Sequence, residues 1–260
     1  MTYSRLDGPE GAPVVVLSNS LGTTLAMWEP QVPALSERFA VLRYDHPGHG
    51  SSRDGSPARS VEALARRVLE ILDERGLERV SFCGLSLGGA VGMWLAMHEP
   101  ERIDRLVLAC TSARFRVREN WLARAAAVRG GGVEAVADAV LPLWFAERTQ
   151  RDAPTLVRAY REMMVSAERE GYAGCCDALA DWDPGDGLAA IRAPTLVLAG
   201  SEDTATPRAQ AEAIARRVAG ARLSVLAGAG HLANLEQPEA FNRLLLEHLT
   251  ARPAVEVASG

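Results

Sequence analysis

The sequence predicts an α/β fold, a mostly parallel central sheet flanked by helices, and three observations carry that prediction. Short, nearly continuous apolar runs recur along the chain, of the kind that suits strands buried on both faces. Helical patterns alternate with them. The loops that follow the runs concentrate glycine, serine, aspartate and histidine, and the carboxyl ends of parallel strands are where ligand sites are built. A chain of 260 residues can bury a large core in one such domain.

Taken in order, residues 13–17 are expected as a strand, followed by the loop Ser18-Asn19-Ser20-Leu21-Gly22-Thr23-Thr24. Residues 28–39 suggest a helix and 40–44 a second buried strand, which runs into Asp45-His46-Pro47-Gly48-His49-Gly50-Ser51-Ser52, dense in turn formers. Residues 60–75 place Val61, Leu64, Ala65, Val68, Ile71 and Leu72 on one face, marking an amphipathic helix that Gly76 ends. Residues 79–83 read as a short buried strand, 90–97 as a helix with no breaker until Pro100, and 103–109 as one more strand.

There the alternation stops. From about Ala113 to Asp183 the pattern is helical, rich in Ala and Arg, and interrupted at Gly130-Gly131-Gly132, Pro142 and Pro154. Its few large apolar residues would make a poor independent core, so the segment is expected to fold over the sheet edge. The chain then divides into a core domain of residues 1–112 and 184–260 and a helical cap of residues 113–183. Alternation resumes with a strand at 194–199, a loop at 200–207, a helix at about 208–219, a strand at 222–226, a loop at 227–231 and a last helix at about 238–250. The tail, 251–260, reads as frayed.

One serine stands between a strand and a helix, in Phe82-Cys83-Gly84-Leu85-Ser86-Leu87-Gly88-Gly89, the G-x-S-x-G pattern in its strand–turn–helix context. So tight a turn admits only small residues two before and two after the serine, the places of Gly84 and Gly88. It exposes the hydroxyl and turns a helix N-terminus toward any oxyanion formed there. A serine hydroxyl is a weak nucleophile and needs a base oriented by a carboxylate. His231, in the loop after the last strand, and Asp203, in the loop after the preceding one, emerge at the edge that carries Ser86, so Ser86, Asp203 and His231 are expected as the catalytic triad. The amides of Leu21 and Leu87 are the expected oxyanion donors. His46 and His49 read as turn-stabilising, His98 and His248 as remote, and Asp45 as structural. Trp121, Trp144 and Trp182 are candidate walls of a pocket.

Composition excludes other classes. The 28 basic and 33 acidic residues are well mixed and sum to a net charge of −5, which gives neither a nucleic-acid stripe nor a polybasic membrane patch. A small molecule is the expected partner. The first 13 residues lack the apolar core of a signal peptide, and no apolar run reaches the ~20 residues that span a bilayer, so a cytoplasmic protein is expected. Cys83, Cys110, Cys175 and Cys176 lack metal-site spacing and read as small buried hydrophobes. No metal and no cofactor is expected.

With these residues in place, the chain resembles the α/β-hydrolases over nearly its whole length, and within them the 3-oxoadipate enol-lactonases of aromatic catabolism. The resemblance is carried by Leu17-Ser18-Asn19-Ser20-Leu21-Gly22-Thr23, Met27-Trp28-Glu29-Pro30-Gln31, Cys83 to Gly89, Ala125-Ala126-Ala127-Val128-Arg129, Trp144-Phe145 and Glu170-Gly171-Tyr172-Ala173-Gly174-Cys175-Cys176. It implies an α/β-hydrolase fold with a helical lid inserted after the sixth strand. It also implies a serine hydrolase that opens a small lactone, 3-oxoadipate enol-lactone to 3-oxoadipate, through an acyl-enzyme. A carboxylesterase, methylesterase or C–C bond hydrolase on a less charged substrate is the alternative on the same triad. Two positions depart from the resemblance. The family reads Asp-Thr-Arg-Gly-His-Gly where this chain has Asp45-His46-Pro47-Gly48-His49-Gly50, and it carries an arginine before the Trp-Phe pair where this chain has Leu143. Arg129, with Trp144 and Trp121, is therefore the expected substrate contact, and Arg124 and Arg148 are the other cations able to replace that arginine.

Overall fold

Five of the apolar runs become the inner strands of a single seven-stranded sheet. The computed structural model describes residues 2–53, 56–115 and 117–251. The strands are β1 (Ser4–Asp7), β2 (Val14–Ser18), β3 (Ala40–Tyr44), β4 (Val80–Leu85), β5 (Ile103–Ala109), β6 (Thr195–Gly200) and β7 (Arg222–Leu226), in the spatial order β1-β3-β2-β4-β5-β6-β7. Only β1 with β3 is antiparallel; the other five pairs are parallel. β3, β4 and β6 are buried along their whole length, as strands covered on both faces must be.

Strand order fixes where a site can form. β2 has β3 on one side and β4 on the other, so the chain leaves β2 in one direction across the sheet and later returns in the opposite one. The crevice outside the carboxyl ends of β2 and β4 is thus a topological switch point, the usual ligand position in open α/β sheets. Ser18, the last residue of β2, pairs with Gly84, two residues before Ser86.

The helices are α1 (Val32–Leu35), α2 (Val61–Glu74), α3 (Leu87–His98), α4 (Arg118–Gly131), α5 (Glu134–Val140), α6 (Glu147–Asp152), α7 (Pro154–Val165), α8 (Arg169–Ala180), α9 (Arg208–Arg217), α10 (Ala233–Glu236) and α11 (Pro238–Thr250). In α2 the six apolar residues read from the sequence are the buried ones, and Ser60 caps its start by accepting from the Ala63 amide at 3.0 Å. Among the described residues no helix is long and apolar enough to cross a membrane.

Three expectations need correction. Residues 28–39 do not form one helix. Pro30 and Pro33 break the run of amides, leaving a 3₁₀ turn at Leu25–Trp28 and the single turn α1. β1 carries no apolar run, being a short edge strand with Arg5 and Leu6 exposed, so its pattern was not legible. The helical excursion follows the fifth strand rather than the sixth. β1 passes directly into β2 through a turn that uses positive φ at Gly8 and Gly11, and no further strand intervenes. The expected frayed tail lies outside the described residues beyond Ala251.

The excursion α4–α8 sits on the loops beyond the sheet by bare backbone contact. A Cβ on Gly171 would collide with Gly48, one on Gly174 would press on the Ala58 carbonyl, and the Glu168 amide donates to Gly48 O at 2.7 Å. Its buried residues, among them Trp144, Met164 and Tyr172, belong to the same apolar cluster as the sheet.

Candidate active site

Ser86 begins where β4 ends, at φ 56° and ψ −112°, a conformation that costs a non-glycine residue ~1–3 kcal/mol and needs surroundings that impose it. Those surroundings are present. The Ser86 amide donates to Ala109 O at 2.9 Å, and Thr111 Oγ1 donates to Ser86 O at 2.7 Å, so both peptide groups are tied to the end of β5. A Cβ on Gly84 would run into the Gly88 carbonyl, and one on Gly88 into the Ser18 carbonyl. The glycines are required by close approach, and that approach brings the Ser86 turn against the loop after β2.

That loop is wired to its neighbours residue by residue. Gly88 N donates to Asn19 O at 3.0 Å, linking the start of α3 to the loop. The Asn19 side chain donates to Tyr44 O at 2.7 Å and accepts from Trp28 Nε1 at 2.9 Å, while His46 Nε2 donates to Asn19 O at 3.0 Å. Gly22 N donates to His49 Nε2 at 3.1 Å, which fixes the tautomer: the proton sits on Nδ1 and is donated to Pro47 O at 3.1 Å. Burial holds the His49 pKa down to about 4, against its bonds to Pro47 and His46, and burial with the neighbouring His49 holds His46 down to about 3. Both rings are neutral at pH 7. Within this network the amides of Leu21 and Leu87 donate no hydrogen bond among the described residues. Both residues are buried, and a buried amide without a partner is a donor held for a guest.

The loops after β6 and β7 bring Asp203 and His231 together. His231 Nδ1 lies 2.9 Å from Asp203 Oδ2, with both side chains almost wholly buried. Thr206 supports the carboxylate twice, through its amide to Oδ1 at 2.8 Å and its hydroxyl to Oδ2 at 2.7 Å. Burial pushes the Asp203 pKa up. The charge and hydrogen bond of His231 and the two bonds from Thr206 outweigh it, and the net displacement is below the ordinary 3.8. Among the described residues no hydrogen bond joins His231 to the Ser86 hydroxyl, a contact that commonly tightens only with substrate bound.

Three residues here escaped the sequence reading of the site. Glu236 accepts from Gly230 N at 2.6 Å and from Ala146 N at 2.9 Å, so one carboxylate clamps the His231 loop to the excursion; burial raises its pKa. Nothing in its sequence context signals that role. Thr206 was legible in principle, because an aspartate three residues before a threonine is a common self-bonding turn. His49 was read as a turn stabiliser, and its bond to Gly22 was not foreseen.

The three expected substrate contacts fare differently. Trp144 lies beside two of the loops: its ring edge, with that of Tyr172 and the Met164 side chain, closes over Gly22, and its carbonyl accepts from Leu232 N at 2.9 Å beside His231. Trp121 stands edge-on to Phe115 with centroids 6.0 Å apart, and it lines a cavity of about 80 Å³ with Ser112, Ala205, Thr206 and Pro207 next to the Asp203 loop. Arg129 is engaged elsewhere. Its guanidinium is shared between Asp177 and Glu170 across α4 and α8.

The fold and these strand-end loops define a class, and the chain belongs to the α/β-hydrolase fold family, which it matches over residues 13–238. Within that class it is similar to 3-oxoadipate enol-lactonase 2 of Acinetobacter baylyi, with 36% identity over 90% of this chain and 88% of that one. The crystal structure of the enol-lactonase from Burkholderia xenovorans superposes with a TM-score of 0.93 at 41% identity, covering 96% of each chain. A protein of Stutzerimonas stutzeri named as a carbamate hydrolase is 32% identical over 92% of both chains.

Proposed function

We propose that this hydrolase opens a small enol-lactone, 3-oxoadipate enol-lactone to 3-oxoadipate, with Ser86, His231 and Asp203 as the catalytic triad. One observation carries the reading: a joined Asp203–His231 pair stands at the same sheet end as a strained serine turn flanked by two unspent amides. Its similarity to two Acinetobacter baylyi enol-lactonases, each at 36% identity, supports the substrate class.

In the proposed reaction Ser86 Oγ attacks the lactone carbonyl as its proton passes to His231 Nε2. The imidazolium is stabilised through Nδ1–H by Asp203, and the oxyanion takes the Leu21 and Leu87 amides. Collapse of the tetrahedral intermediate breaks the ring C–O bond and expels an enolate that stays tethered to the acyl-enzyme. An enolate leaves more readily than an alkoxide, and once it has taken the proton held on His231 it tautomerises to the ketone, which makes ring opening one-way and leaves His231 neutral. Water then gives a proton to His231 as it attacks the acyl carbon, and His231 returns that proton to Ser86 Oγ as the keto acid is released. The helical excursion acts as the lid, with Trp144, Met164 and Tyr172 excluding water above Gly22.

The likeness to a protein named as a carbamate hydrolase supports a second reading, in which the same machinery cleaves a carbamate or neutral ester. A rate panel separates the two. Freshly generated enol-lactone should be hydrolysed at a kcat/KM of about 10⁴ M⁻¹ s⁻¹ or more, well above a simple carbamate and neutral aryl esters. A reversed ranking overturns the lactone reading.

A further inference from the structure

The two amides assigned to the oxyanion share a construction. Each belongs to a peptide unit whose carbonyl, on the opposite side, is held by a threonine hydroxyl. The Leu21 amide is half of the Ser20–Leu21 peptide, and Thr23 Oγ1 donates to Ser20 O at 2.8 Å. The Leu87 amide is half of the Ser86–Leu87 peptide, and Thr111 Oγ1 donates to Ser86 O at 2.7 Å. Both threonines are buried.

Planarity turns those bonds into a means of aiming. No peptide among the described residues is cis, and in a trans peptide the C=O and N–H lie antiparallel in one plane. Fixing the carbonyl therefore fixes where the amide hydrogen points. Backbone donors set the coarse direction: Ser20 O also accepts from Thr23 N at 3.2 Å, and Ser86 O from Gly89 N at 2.9 Å and Ala90 N at 3.2 Å. The hydroxyl makes the shortest bond at both carbonyls. A donor at the carbonyl also draws electron density to the oxygen and leaves the N–H more positive, which strengthens the bond that amide gives by roughly 10–30%.

The threonines are themselves immobilised. Thr23 Oγ1 packs at 2.9 Å against Met27 Sδ, which accepts from the Ser20 amide at 3.4 Å. Its single proton goes to the carbonyl, the stronger acceptor. Thr111 presses on the first turn of α3, where a Cβ on Gly89 would collide with its side chain. A buried hydroxyl needs some acceptor, and any nearby carbonyl would meet that need. In two loops far apart in the chain, the carbonyl taken is the one back to back with an oxyanion amide.

We infer that Thr23 and Thr111 are positioning residues for the oxyanion, aiming and polarising the Leu21 and Leu87 amides from behind. The inference rests on the hydrolase reading above and adds to it the side chains on which its main-chain donors depend.

The test uses p-nitrophenyl acetate, whose hydrolysis passes through an oxyanion at Ser86 whatever the natural substrate, so failure of the lactone reading leaves the comparison intact. Phenylboronic acid is the second probe. Boron takes the Ser86 oxygen as the serine proton passes to His231, and a boron-bound oxygen then stands in the place of the oxyanion. Thr23→Val and Thr111→Val each remove one hydroxyl at nearly constant shape and leave the amide donors on both carbonyls; Thr23→Ser and Thr111→Ser keep the hydroxyl. Each valine variant should lower kcat and kcat/KM together about fivefold with KM unchanged, and raise the boronic acid inhibition constant by the same factor, while the serine variants stay near wild type. A hydroxyl that only stabilised the fold would lower the melting temperature or the fraction of protein titrated by a serine-directed phosphonate, and neither change moves an inhibition constant. The two positions are scored separately, so a folding defect at one leaves the other to decide. Folded valine variants with wild-type kcat and wild-type boronic acid inhibition overturn the inference and leave the hydrolase reading standing. A wild type inert to the ester and to boronic acid alike overturns the hydrolase reading and the inference with it.

Discussion

The turn around Ser86 and the roof above Gly22 are held by different kinds of bond. Below, the connections are mainly backbone hydrogen bonds and glycine contacts: Ser86 to Ala109, Gly88 to Asn19, Gly84 against Gly88. Among the groups left over there are the Leu21 and Leu87 amides, which no side-chain substitution can remove. Above, the roof is made of rings and side chains, Trp144, Met164, Tyr172 and Trp121, and the group left over is a tyrosine hydroxyl. Donors fixed by the main chain suit one kind of transition state. Donors carried by side chains are open to change, so the proposed reading puts selectivity in the roof.

Several substitutions would break or sharpen that contrast. The largest effect is expected from Ser86→Ala, which should lower kcat by roughly 10⁶ while melting within a few degrees of wild type. Residual turnover near the wild-type rate would remove the covalent route. Next, Gly88→Ala places a methyl against the Ser18 carbonyl and displaces the Leu87 amide. Losing one oxyanion donor costs on the order of 10² to 10³ in kcat. Gly171→Ala, the equivalent intrusion in the roof, presses on Gly48 and should act mainly on KM and melting temperature. If the two variants gave the same kinetic signature, the division between floor and roof would fail.

Smaller effects are expected from groups that only position others. Thr206→Val removes the hydroxyl bond to Asp203, worth about 1 kcal/mol or somewhat more to a charged acceptor, so kcat should fall about tenfold. The same change removes a group that lowers the Asp203 pKa. In wild type that depressed pKa contributes stability present above pH 3.8 and lost as pH falls through the lower folded value. In Thr206→Val the folded value moves back toward 3.8, so the acid loss should be smaller and complete at higher pH, read from melting temperature against pH.

The mildest effect concerns His49. Above pH 6.5 the ring is neutral in folded and unfolded chains alike and contributes no pH dependence. Between 6.5 and about 4 the unfolded chain takes up a proton that the folded one refuses, so stability falls across that window and levels off below it. His49→Gln keeps an acceptor for Gly22 and should flatten that part of the melting curve. An unchanged slope would show that His49 is not held neutral.

The sequence disclosed what periodicity and turn chemistry encode. The inner strands, α2 with its Ser60 cap, and the loops bearing Ser86, Asp203 and His231 all follow from apolar runs and the residues that end them. It concealed what depends on contacts distant in the chain. Glu236 joins Gly230 to Ala146, ninety residues away, and Arg129 meets Glu170 and Asp177 of α8 while Arg124 stacks on Trp121. β1 was hidden because a four-residue edge strand with its two central residues exposed has no apolar run to show.

The most direct test of the account is to mix the protein with enol-lactone, quench in acid within milliseconds, and weigh the intact chain. Because ring opening leaves the departing oxygen tethered, a transient adduct of the full lactone mass on the peptide containing Ser86 is the predicted result, decaying as 3-oxoadipate appears and absent in Ser86→Ala. Turnover in pre-steady state with no adduct, and at a similar rate in Ser86→Ala, would contradict it.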